Sequence, residues 1–333
     1  MDESKKEEYQ EWARFVTKKI RGDRFWEALY SSYAKDMIKN KAVFAEARKK
    51  FRVYKPLHAY LTIGKAKDKR VLFDLRYMGQ SVGTISVKGD DVLLSVSDSQ
   101  AKNSKTHFNY KSGSFINVDW KNSKDAKAFR AFFTEDGRGK PRQNEHRVES
   151  ALFSEIGKTK SAGKNMCNIT PVSYAGTRIH MKTAISACKS GKKGMITITE
   201  AGGEIDLLCR RSIKAGRGES RLVVVEIKDE NKKDESFDIA MKQAISYAVF
   251  ICELIHSTAG SSWMELWGMQ NQKKTGFTID CAVAMPKGES KPSYSGDKIE
   301  YISEDGSKDT IELHYMELNE VKTESVSFSY SFK

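Results

Sequence analysis

The chain has 333 residues, of which 39% are hydrophobic and 10% aromatic, so it can bury a core and is not wholly disordered. Its 57 Lys and Arg outnumber its 44 Asp and Glu, which gives a formal net charge of +13. The most apolar stretch, residues 244–255, is shorter than the roughly 20 apolar residues that cross a bilayer. The first twelve residues lack the apolar region of a secretory signal. These features predict a soluble, cytoplasmic protein without a membrane partner.

Five cysteines are scattered along the chain, and no two are spaced as CxxC. Their odd number and irregular spacing predict neither a disulfide framework nor a zinc ribbon. We expect reduced thiols that pack as small hydrophobic side chains. The five residues are Cys167, Cys188, Cys209, Cys252 and Cys281.

The positive charge is distributed unevenly along the chain. Residues 1–140 contain 30 Lys and Arg against 18 Asp and Glu, a net charge of +12. Residues 141–333 contain 27 and 26, a net charge of +1. Basic residues concentrated in one part of a chain are typical of polyanion binding, although a solvated basic surface without a partner gives the same pattern.

Residues 1–140 have the pattern of an α+β module. Apolar residues recur at helical spacing through residues 4–51, with a break at Gly22 and a third helix from Lys41 to Phe51. A strand over 114–120 and a helix over 123–134 are also predicted. We expect the aromatic side chains to form a core rather than a surface for stacking bases. Between these helical parts, period-two alternation predicts an antiparallel meander over 58–63, 71–77, 82–87 and 91–96.

The polar segment 135–144 is the best candidate for a domain boundary and divides the chain into residues 1–140 and 141–333. Beyond it, the pattern predicts helices over 146–156, 178–190 and 237–255. Helices and strands mixed in this way indicate an α/β (α+β) protein. The strands predicted in this half are 195–199, 204–211, 221–228, 276–285, 298–303 and 310–318.

The residues with the clearest chemistry lie on the strand predicted at 221–228. Strand alternation places Glu226 and Lys228 side by side at the end of an otherwise apolar strand, where two charges need partners. If this strand pairs antiparallel with the preceding one, Asp206 converges with Glu226. Two converging carboxylates suit Mg²⁺, which would stabilise charge on a phosphoryl oxygen and lower the pKa of a bound water that Lys228 could orient. The pattern predicts hydrolysis of a phosphodiester.

A helical Glu, a Gly-Gly-Glu-Ile-Asp segment and an apolar strand ending in Glu-Ile-Lys resemble the motifs of the PD-(D/E)XK nuclease superfamily. The resemblance covers about residues 145–285 and implies a restriction-endonuclease-like mixed β-sheet flanked by helices. It implies that Asp206 and Glu226 bind Mg²⁺, for which Mn²⁺ can substitute, and that Lys228 is the catalytic lysine. Ile205 stands where the superfamily's name has Pro, a position at which members vary.

Three further residues belong to the resemblance. Glu149 matches the acidic residue of the opening helix, which often supports a metal-bound water, and Glu145 lies one turn earlier and could substitute for it. Gln243 and Tyr247 match the QxxxY motif of RecB-like members. Their i, i+4 spacing places them on one helix face. In relatives these two residues brace the catalytic residues or contact the nucleic-acid backbone.

Two features beside these motifs have more than one interpretation. Cys209 is expected to be a packing residue rather than a nucleophile. A basic segment after it could contact phosphates or could simply be solvated. Its residues are Arg210, Arg211, Lys214 and Arg217.

The resemblance predicts a Mg²⁺-dependent nuclease, with a DNA endonuclease in restriction or anti-phage defence as the favoured activity. We expect the basic N-terminal module to bind or select the nucleic acid, with DNA favoured over RNA. One alternative is a non-catalytic nucleic-acid-binding protein that keeps the fold, and another is a signal-gated nuclease that acts on RNA. A homodimer or larger homo-oligomer is compatible with the sequence.

Overall fold

The computed structural model describes residues 1–63, 70–103, 115–134, 144–156, 168–187, 196–213, 219–228, 236–286, 296–321 and 326–330. Within these residues the protein is a mixed α/β protein with several helices and mixed sheets. The predicted fold class is therefore confirmed at the level of α+β.

The helices largely follow the apolar periodicity of the sequence. Four of the described helices begin at side-chain caps. The capping side chains of Asp2, Ser97, Ser123 and Ser236 accept the N–H groups of Lys5, Gln100, Ala126 and Ile239 at 2.7, 3.2, 3.0 and 3.4 Å. The predicted helices in residues 1–140, at 146–156 and at 237–255 are confirmed, with small shifts at their ends. The described helices are α1 (Glu3–Gly22), α2 (Phe25–Lys39), α3 (Lys41–Lys49), α4 (Asp98–Asn103), α5 (Lys124–Thr134), α6 (Asn144–Ile156), α7 (Phe237–His256) and α8 (Gly260–Leu266).

The strands of the described residues form two large sheets and one small one. Most predicted strands are present, but the one predicted over 114–120 is reduced to two residues. The strands are β1 (Leu57–Leu61), β2 (Val71–Tyr77), β3 (Gln80–Lys88), β4 (Asp91–Ser95), β5 (Val118–Asp119), β6 (Ile169–Pro171), β7 (Ser173–Tyr174), β8 (Thr177–Ile179), β9 (Lys182–Ser186), β10 (Thr197–Glu204), β11 (Leu207–Ser212), β12 (Ser220–Ile227), β13 (Thr278–Pro286), β14 (Asp297–Ile302), β15 (Lys308–Val321) and β16 (Val326–Tyr330).

The first large sheet contains the predicted meander. Its strand order is β5-β4-β3-β2-β1-β8-β7, and β1 to β5 pair antiparallel in sequence order. The meander is therefore confirmed. Helix α5 packs its Phe129 against this sheet, where a side chain at Gly83 would come within 3.2 Å of the Phe129 ring. The glycine leaves room for the aromatic core that the sequence predicts.

The helix predicted over residues 178–190 is wrong. The described part of that segment forms the end of β8 and all of β9, and residues 188–190 lie outside the described residues. Ile179, Met181, Thr183 and Ile185 are all buried, and their spacing of two residues is the period of a strand. A short apolar run of this kind fits either element, and the pairing of β9 with β10 decides it.

The second large sheet carries the predicted chemical residues. Its order is β14-β15-β13-β12-β11-β6, with β16 paired to β15. Strands β12, β13 and β15 are parallel, whereas β11 is antiparallel to both of its neighbours. Buried residues of α7, such as Ala248, belong to the core on one face, together with Val224. On the other face, α6 packs Leu152 against Val223 and Val225. The sheet therefore lies between two helices.

Packing crosses the predicted domain boundary in both directions. Trp12 of α1 donates its Nε1–H to the carbonyl of Lys242 in α7 at 2.8 Å. Arg21 forms an ion pair of 2.8 Å with the buried Glu253 of α7. In the other direction, β7 and β8 join the first sheet beside β1. Residues 135–143 lie outside the described residues, so the boundary near residue 140 stays a prediction.

Helix α7 is the one described helix that is long and apolar enough to cross a membrane. However, 83% of its most apolar window is buried inside the protein. Strands β12 and β13 cover one side of it and α1 covers another. Such a helix is consistent with the core of a soluble protein, and the cytoplasmic location stays a prediction.

Candidate active site

Asp206 and Glu226 lie opposite each other on paired strands. Strands β11 and β12 pair antiparallel with Leu207 opposite Val225, and continuing that register by one residue places Asp206 opposite Glu226. The Oδ2 of Asp206 accepts a hydrogen bond of 2.8 Å from the N–H of Ile227. The backbone of the strand that carries Glu226 therefore holds the Asp206 carboxylate. The antiparallel pairing on which the predicted convergence depends is confirmed.

Lys228 lies at the end of β12 and is paired with Glu226. Its Nζ is 2.7 Å from Glu226 Oε1, and the two residues are only 3% and 6% exposed. The N–H of Lys228 donates to the carbonyl of Ala284 at 2.9 Å, which extends the pairing with β13 beyond the end of the strand. Two charges so far removed from water need partners of this kind. The ion pair and the backbone contact together fix the ammonium group beside the carboxylates.

The carboxyl ends of the three parallel strands meet at the edge where Glu226 and Lys228 lie. The register joins Ile227 to Ala284 and Ala284 to Met316. Ligands of open α/β sheets bind in the crevice outside such carboxyl ends. Glu317, at this end of β15, is also buried at 6% exposure. The sequence pattern did not indicate this residue, because it lies about 90 residues from the Glu-Ile-Lys motif.

Two adjacent glycines shape the strand that leads to Asp206. The pairing of β10 with β9 shifts register between Ile198 and Gly203, which is a bulge. Gly202 has φ of +51°, and a Cβ at this position would lie 1.7 Å from the carbonyl oxygen of Thr183. A Cβ at Gly203 would lie 2.6 Å from the carbonyl oxygen of Ile185. Close backbone approach therefore requires glycine at both positions. The predicted strand at 204–211 is divided between β10 and β11, with the break at Ile205 and Asp206.

Gln243 and Tyr247 of α7 contact the same β9–β10 hairpin. Gln243 is 8% exposed, and its Nε2 donates to the carbonyl of Ala187 at 3.1 Å. Tyr247 places its Oη where a Cβ at Gly203 would come within 3.1 Å of it. Both side chains therefore lie against the hairpin that ends two residues before Asp206. This placement agrees with a bracing role for the motif.

Glu149 is buried at 5% exposure on α6 and lies close to the first sheet. Burial raises the pKa of the Tyr60 hydroxyl, and the negative charge of Glu149 raises it further. The same carboxylate contributes to the raised pKa of Arg76. Glu149 of α6 therefore lies close to Tyr60 of β1 and Arg76 of β2. Glu145 belongs to α6 as well, and its side chain lies outside the described residues.

Arg76 reaches from the first sheet to the glutamate that ends β10. Its guanidinium lies 3.2 Å from Glu204 Oε2, 2.7 Å from Asp74 Oδ2 and 3.0 Å from His180 Nε2. His180 Nδ1 is 3.4 Å from the same Glu204 oxygen. This network, two residues from Asp206, was missed at the sequence level. Glu204 is part of the Gly-Gly-Glu-Ile-Asp segment and gave a signal, whereas Arg76 and His180 are too distant in sequence to give one.

The charge of Glu204 is stabilised by this network. Partial burial raises the pKa of the carboxyl, but hydrogen bonds with His180 and Arg76 and the positive charge of Arg76 lower it by more, and the pKa lies well below its usual range. Burial lowers the pKa of Arg76, but the negative charges of Asp74 and Glu204 raise it by more. The pKa therefore lies above the usual value of an arginine. Both groups are therefore charged at neutral pH. The network fastens the first sheet to the segment that carries Asp206.

A second group of largely buried charged residues lies at the other end of the same sheet. Ligand atoms of Asp280, Glu312 and His314 all lie within 4.8 Å of one another, so this group could hold a metal ion. Arg211 Nε is 2.6 Å from Asp280 Oδ2, and Arg221 Nη1 is 2.9 Å from Glu312 Oε2. A divalent cation would have to compete with these two guanidiniums for the carboxylates. None of the three residues belongs to the predicted metal site.

The two described arginines of the basic segment near Cys209 have different surroundings. Arg211 is 5% exposed and paired with Asp280, so it is not part of a solvated basic loop. Arg210 Nη1 donates to the carbonyl of Gly268 at 2.9 Å. Lys214 and Arg217 lie outside the described residues. The described pair therefore has intramolecular partners.

The described cysteines behave as packing residues. Cys209, Cys252 and Cys281 are free and fully buried. Burial raises the pKa of the Cys209 thiol to about 12, so it is protonated and unreactive at neutral pH. The expectation of packing rather than nucleophilic chemistry is confirmed for these three. Cys167 and Cys188 lie outside the described residues.

Comparison with known proteins gives no match, since no family model, no curated protein and no solved structure matches this chain. The relation to the PD-(D/E)XK superfamily therefore stays a prediction. It depends on the residues of this chain and on their placement.

Proposed function

We propose that this protein is a Mg²⁺-dependent nuclease that hydrolyses phosphodiester bonds, with DNA favoured over RNA as substrate. One observation carries the proposal: Asp206 and Glu226 lie opposite each other, and Lys228 Nζ is 2.7 Å from Glu226. Two carboxylates and an ammonium thus meet at the carboxyl edge of three parallel strands. Metal-assisted phosphodiester hydrolysis needs groups of this kind at such an edge.

The donor set fits Mg²⁺. Asp206 and Glu226 offer carboxylate oxygens, which are hard ligands, and this ion keeps several waters in its coordination shell. These two residues would hold the metal, and Glu149 would act through a bound water. The metal would supply stabilisation of charge on a phosphoryl oxygen and a water of lowered pKa. The ion pair with Glu226 places the Lys228 ammonium beside this site.

Lys228 would act on the water and the phosphate. Its ammonium group can orient a water for attack and offset the negative charge that develops on the phosphate. The Glu226 contact and the Ala284 carbonyl hold the lysine in place. A group positioned in advance loses little freedom during the reaction. Lys228 is therefore proposed as a catalytic residue, whereas Gln243 and Tyr247 are proposed as positioning residues.

We extend the proposal to the fold of residues 141–333, which would be restriction-endonuclease-like. The mixed sheet between α6 and α7 supports this assignment. So does the path of the chain, since an antiparallel pair that carries the carboxylates is followed by a helix and a parallel strand.

The test is a cleavage assay with circular and linear DNA and with RNA, in Mg²⁺, Mn²⁺ or EDTA. We expect cleavage in either metal and none in EDTA. Asp206→Ala and Lys228→Ala should each lower the rate on the order of 10³-fold or more, because each removes a group that acts on the transition state. Matched controls are Asp91→Asn and Lys274→Ala, which change exposed residues far along the chain from these motifs.

Unchanged rates in both alanine variants would refute the proposal. Cleavage of circular DNA would identify an endonuclease, and cleavage of RNA alone would favour the RNA alternative. Binding without cleavage in either metal would favour the non-catalytic alternative. Restriction or anti-phage defence and homo-oligomer formation stay predictions.

A further inference from the structure

Five cations gather on one surface of the N-terminal region, around the start of α5. Four of them follow one another at intervals of three residues, and the three that belong to α5 lie about one helical turn apart. The fifth comes from the segment between α3 and β1. Four of the five are exposed, and Arg130 is half-buried. The set, named here the α5 basic surface, comprises Arg52, Lys121, Lys124, Lys127 and Arg130.

Aromatic rings join the two segments of the α5 basic surface. The guanidinium of Arg130 lies 5.3 Å from the centre of the Tyr54 ring and 4.9 Å from that of Trp120. The guanidinium of Arg52 lies 5.1 Å from the Tyr54 ring. The Trp120 indole donates to the carbonyl of Arg52 at 3.1 Å, and Arg130 donates to the carbonyl of Trp120. Two guanidiniums are thus held in position, so they lose less freedom when they bind an anion.

Four cations of this surface form no ion pair with the residues that the structure describes. No carboxylate oxygen in that part of the chain lies within 4.0 Å of a charged nitrogen of Arg52, Lys121, Lys124 or Lys127. Other cations of the N-terminal region are paired. Lys5 lies 2.6 Å from Asp238, and Lys50 lies 2.8 Å from Asp90. The difference identifies the α5 basic surface as a region of unbalanced charge.

Three carboxylates lie in the same region but do not balance the charge. Asp119 accepts hydrogen bonds from the N–H groups of Lys121 and Asn122 at 2.7 and 3.1 Å. Asp125 occupies the first turn of α5, where the helix dipole favours a negative charge. The pKa of Asp90 is lowered mainly by its hydrogen bond with Lys50 and also by the charge of Lys121. The five cations of the surface and Lys50, against these three carboxylates, leave a net charge of +3. Such a surface attracts a polyanion and releases its counterions on binding.

We propose that the α5 basic surface binds the phosphate backbone of the nucleic acid that the enzyme cleaves. This inference rests on the proposed function, whose substrate it would hold. The three lysines of the surface, Lys121, Lys124 and Lys127, have no carboxylate partner among the described residues, and such a row suits a chain of regularly spaced phosphates. A guanidinium held by aromatic rings can bind a phosphate with two hydrogen bonds. Guanidiniums already lie over the Tyr54 ring, so the ring supports cations rather than stacking on a base. Backbone contacts of this kind carry no sequence information, so binding is independent of sequence.

Helix α5 covers one face of the first sheet. Its last turn packs Phe133 on Tyr77, with ring centres 4.9 Å apart. The next residue back along β2, Arg76, lies on the other face with Asp74, to which it is paired at 2.7 Å. The 11 residues of α5 span roughly 16 Å at 1.5 Å per residue. The α5 basic surface and the network beside Asp206 are therefore on opposite faces of this sheet, and a nucleic acid that contacts both would have to pass around its edge.

The test measures binding in EDTA, where no cleavage occurs, with a fluorescent DNA duplex of about 30 base pairs. Lys121→Gln, Lys124→Gln and Lys127→Gln are combined in one variant. We expect Kd to rise on the order of 100-fold at about 0.1 M salt, and the slope of log K against log salt to fall by about 3. These lysines are exposed, so the fold should be kept. Arg52→Gln, on the other segment, should also weaken binding, by a smaller factor because it removes one charge.

The matched control removes the same charge elsewhere. Lys6→Gln, Lys18→Gln and Lys35→Gln change three exposed lysines of α1 and α2. We expect a Kd within about twofold of the unmodified protein, since these positions contact no phosphate. Equal weakening in both triple variants would show that only net charge matters and would overturn the proposal.

Other outcomes separate this surface from the nuclease itself. Unchanged affinity in the Lys121, Lys124 and Lys127 variant would overturn the surface assignment, even if the protein cleaves DNA. Binding of anionic phosphatidylserine vesicles without binding of DNA would also overturn it. Asp206→Asn should bind DNA normally in EDTA and fail to cleave it in Mg²⁺. A protein that binds through this surface but never cleaves would refute the nuclease proposal alone.

Discussion

Two groups of largely buried charged residues occupy opposite ends of the same sheet, and they differ in position. At the carboxyl end of the parallel strands, Glu226 is paired with Lys228, and Asp206 lies on the neighbouring strand. At the other end, two carboxylates accompany two guanidiniums and an imidazole. That group consists of Asp280, Glu312, Arg211, Arg221 and His314. Each carboxylate of the second group contacts a guanidinium, whereas the first group includes a lysine ammonium.

The difference shows why buried acidic residues do not by themselves identify a catalytic site. The Asp280 group has the closer set of metal-binding atoms, yet its carboxylates already contact guanidiniums. The Asp206 group lies where three parallel strands end, which is the position at which ligands of open α/β sheets bind. This position favours the Asp206 group for catalysis, and the guanidinium contacts favour the Asp280 group for stability.

The largest expected effect on stability is that of Asp280→Asn. Asp280 contacts the guanidiniums of both Arg211 and Arg221, and its removal leaves these two buried positive charges without that carboxylate. We therefore expect the free energy of unfolding to fall by about 3–5 kcal/mol. Cleavage per folded molecule should not change. Urea unfolding together with the cleavage assay measures both quantities.

Asp206→Asn is the control for that experiment. The amide oxygen of the substituted side chain could still accept the N–H of Ile227, so we expect the unfolding free energy to change by only about 1 kcal/mol while cleavage is lost. If Asp280→Asn abolished cleavage without loss of stability, the roles assigned to the two groups would have to be exchanged.

A smaller effect is expected at the glycine bulge that leads to Asp206. Gly202→Ala adds a Cβ 1.7 Å from a backbone carbonyl at φ of +51°, and we expect a loss of about 3 kcal/mol with reduced cleavage. Gly89→Ala is the matched control, because Gly89 has φ of +57° and nothing within 4 Å of its added Cβ. It should cost only about 1 kcal/mol, the strain of the left-handed conformation.

Urea unfolding of both glycine variants, together with the cleavage assay, checks this prediction. Equal losses at the two positions would mean that the close contact with Thr183 does not matter. Normal cleavage in a folded Gly202→Ala protein would mean that the bulge does not position Asp206.

The smallest effect concerns metal binding to the folded protein. Mg²⁺ at a concentration about ten times its Kd stabilises the folded protein by about 1.4 kcal/mol. In a protein of this size, this raises Tm by roughly 2–4 °C. Asp206→Asn should abolish this increase, and Glu312→Gln should not. A shift that survives in Asp206→Asn and disappears in Glu312→Gln would place the metal in the Asp280 group.

Much of the local structure could be predicted from the sequence, because periodicity reports which side chains face the core. The helices of α1 to α3, the meander and the pairing of Asp206 with Glu226 all follow from short-range patterns. The exception at 178–190 has a physical reason. A short apolar run fits helix or strand until a partner is present, and β10 is that partner.

The sequence by itself determined the ordered set Asp206, Glu226 and Lys228, since strand alternation and an antiparallel neighbour suffice to bring them together. It also determined that the excess positive charge lies in residues 1–140. Only the tertiary structure decided which charges have partners. Arg76 meets Glu204 across 128 residues and Arg211 meets Asp280 across 69, whereas the lysines of α5 meet no carboxylate among the described residues. Contacts between distant segments depend on how the elements pack, and no local period records that packing.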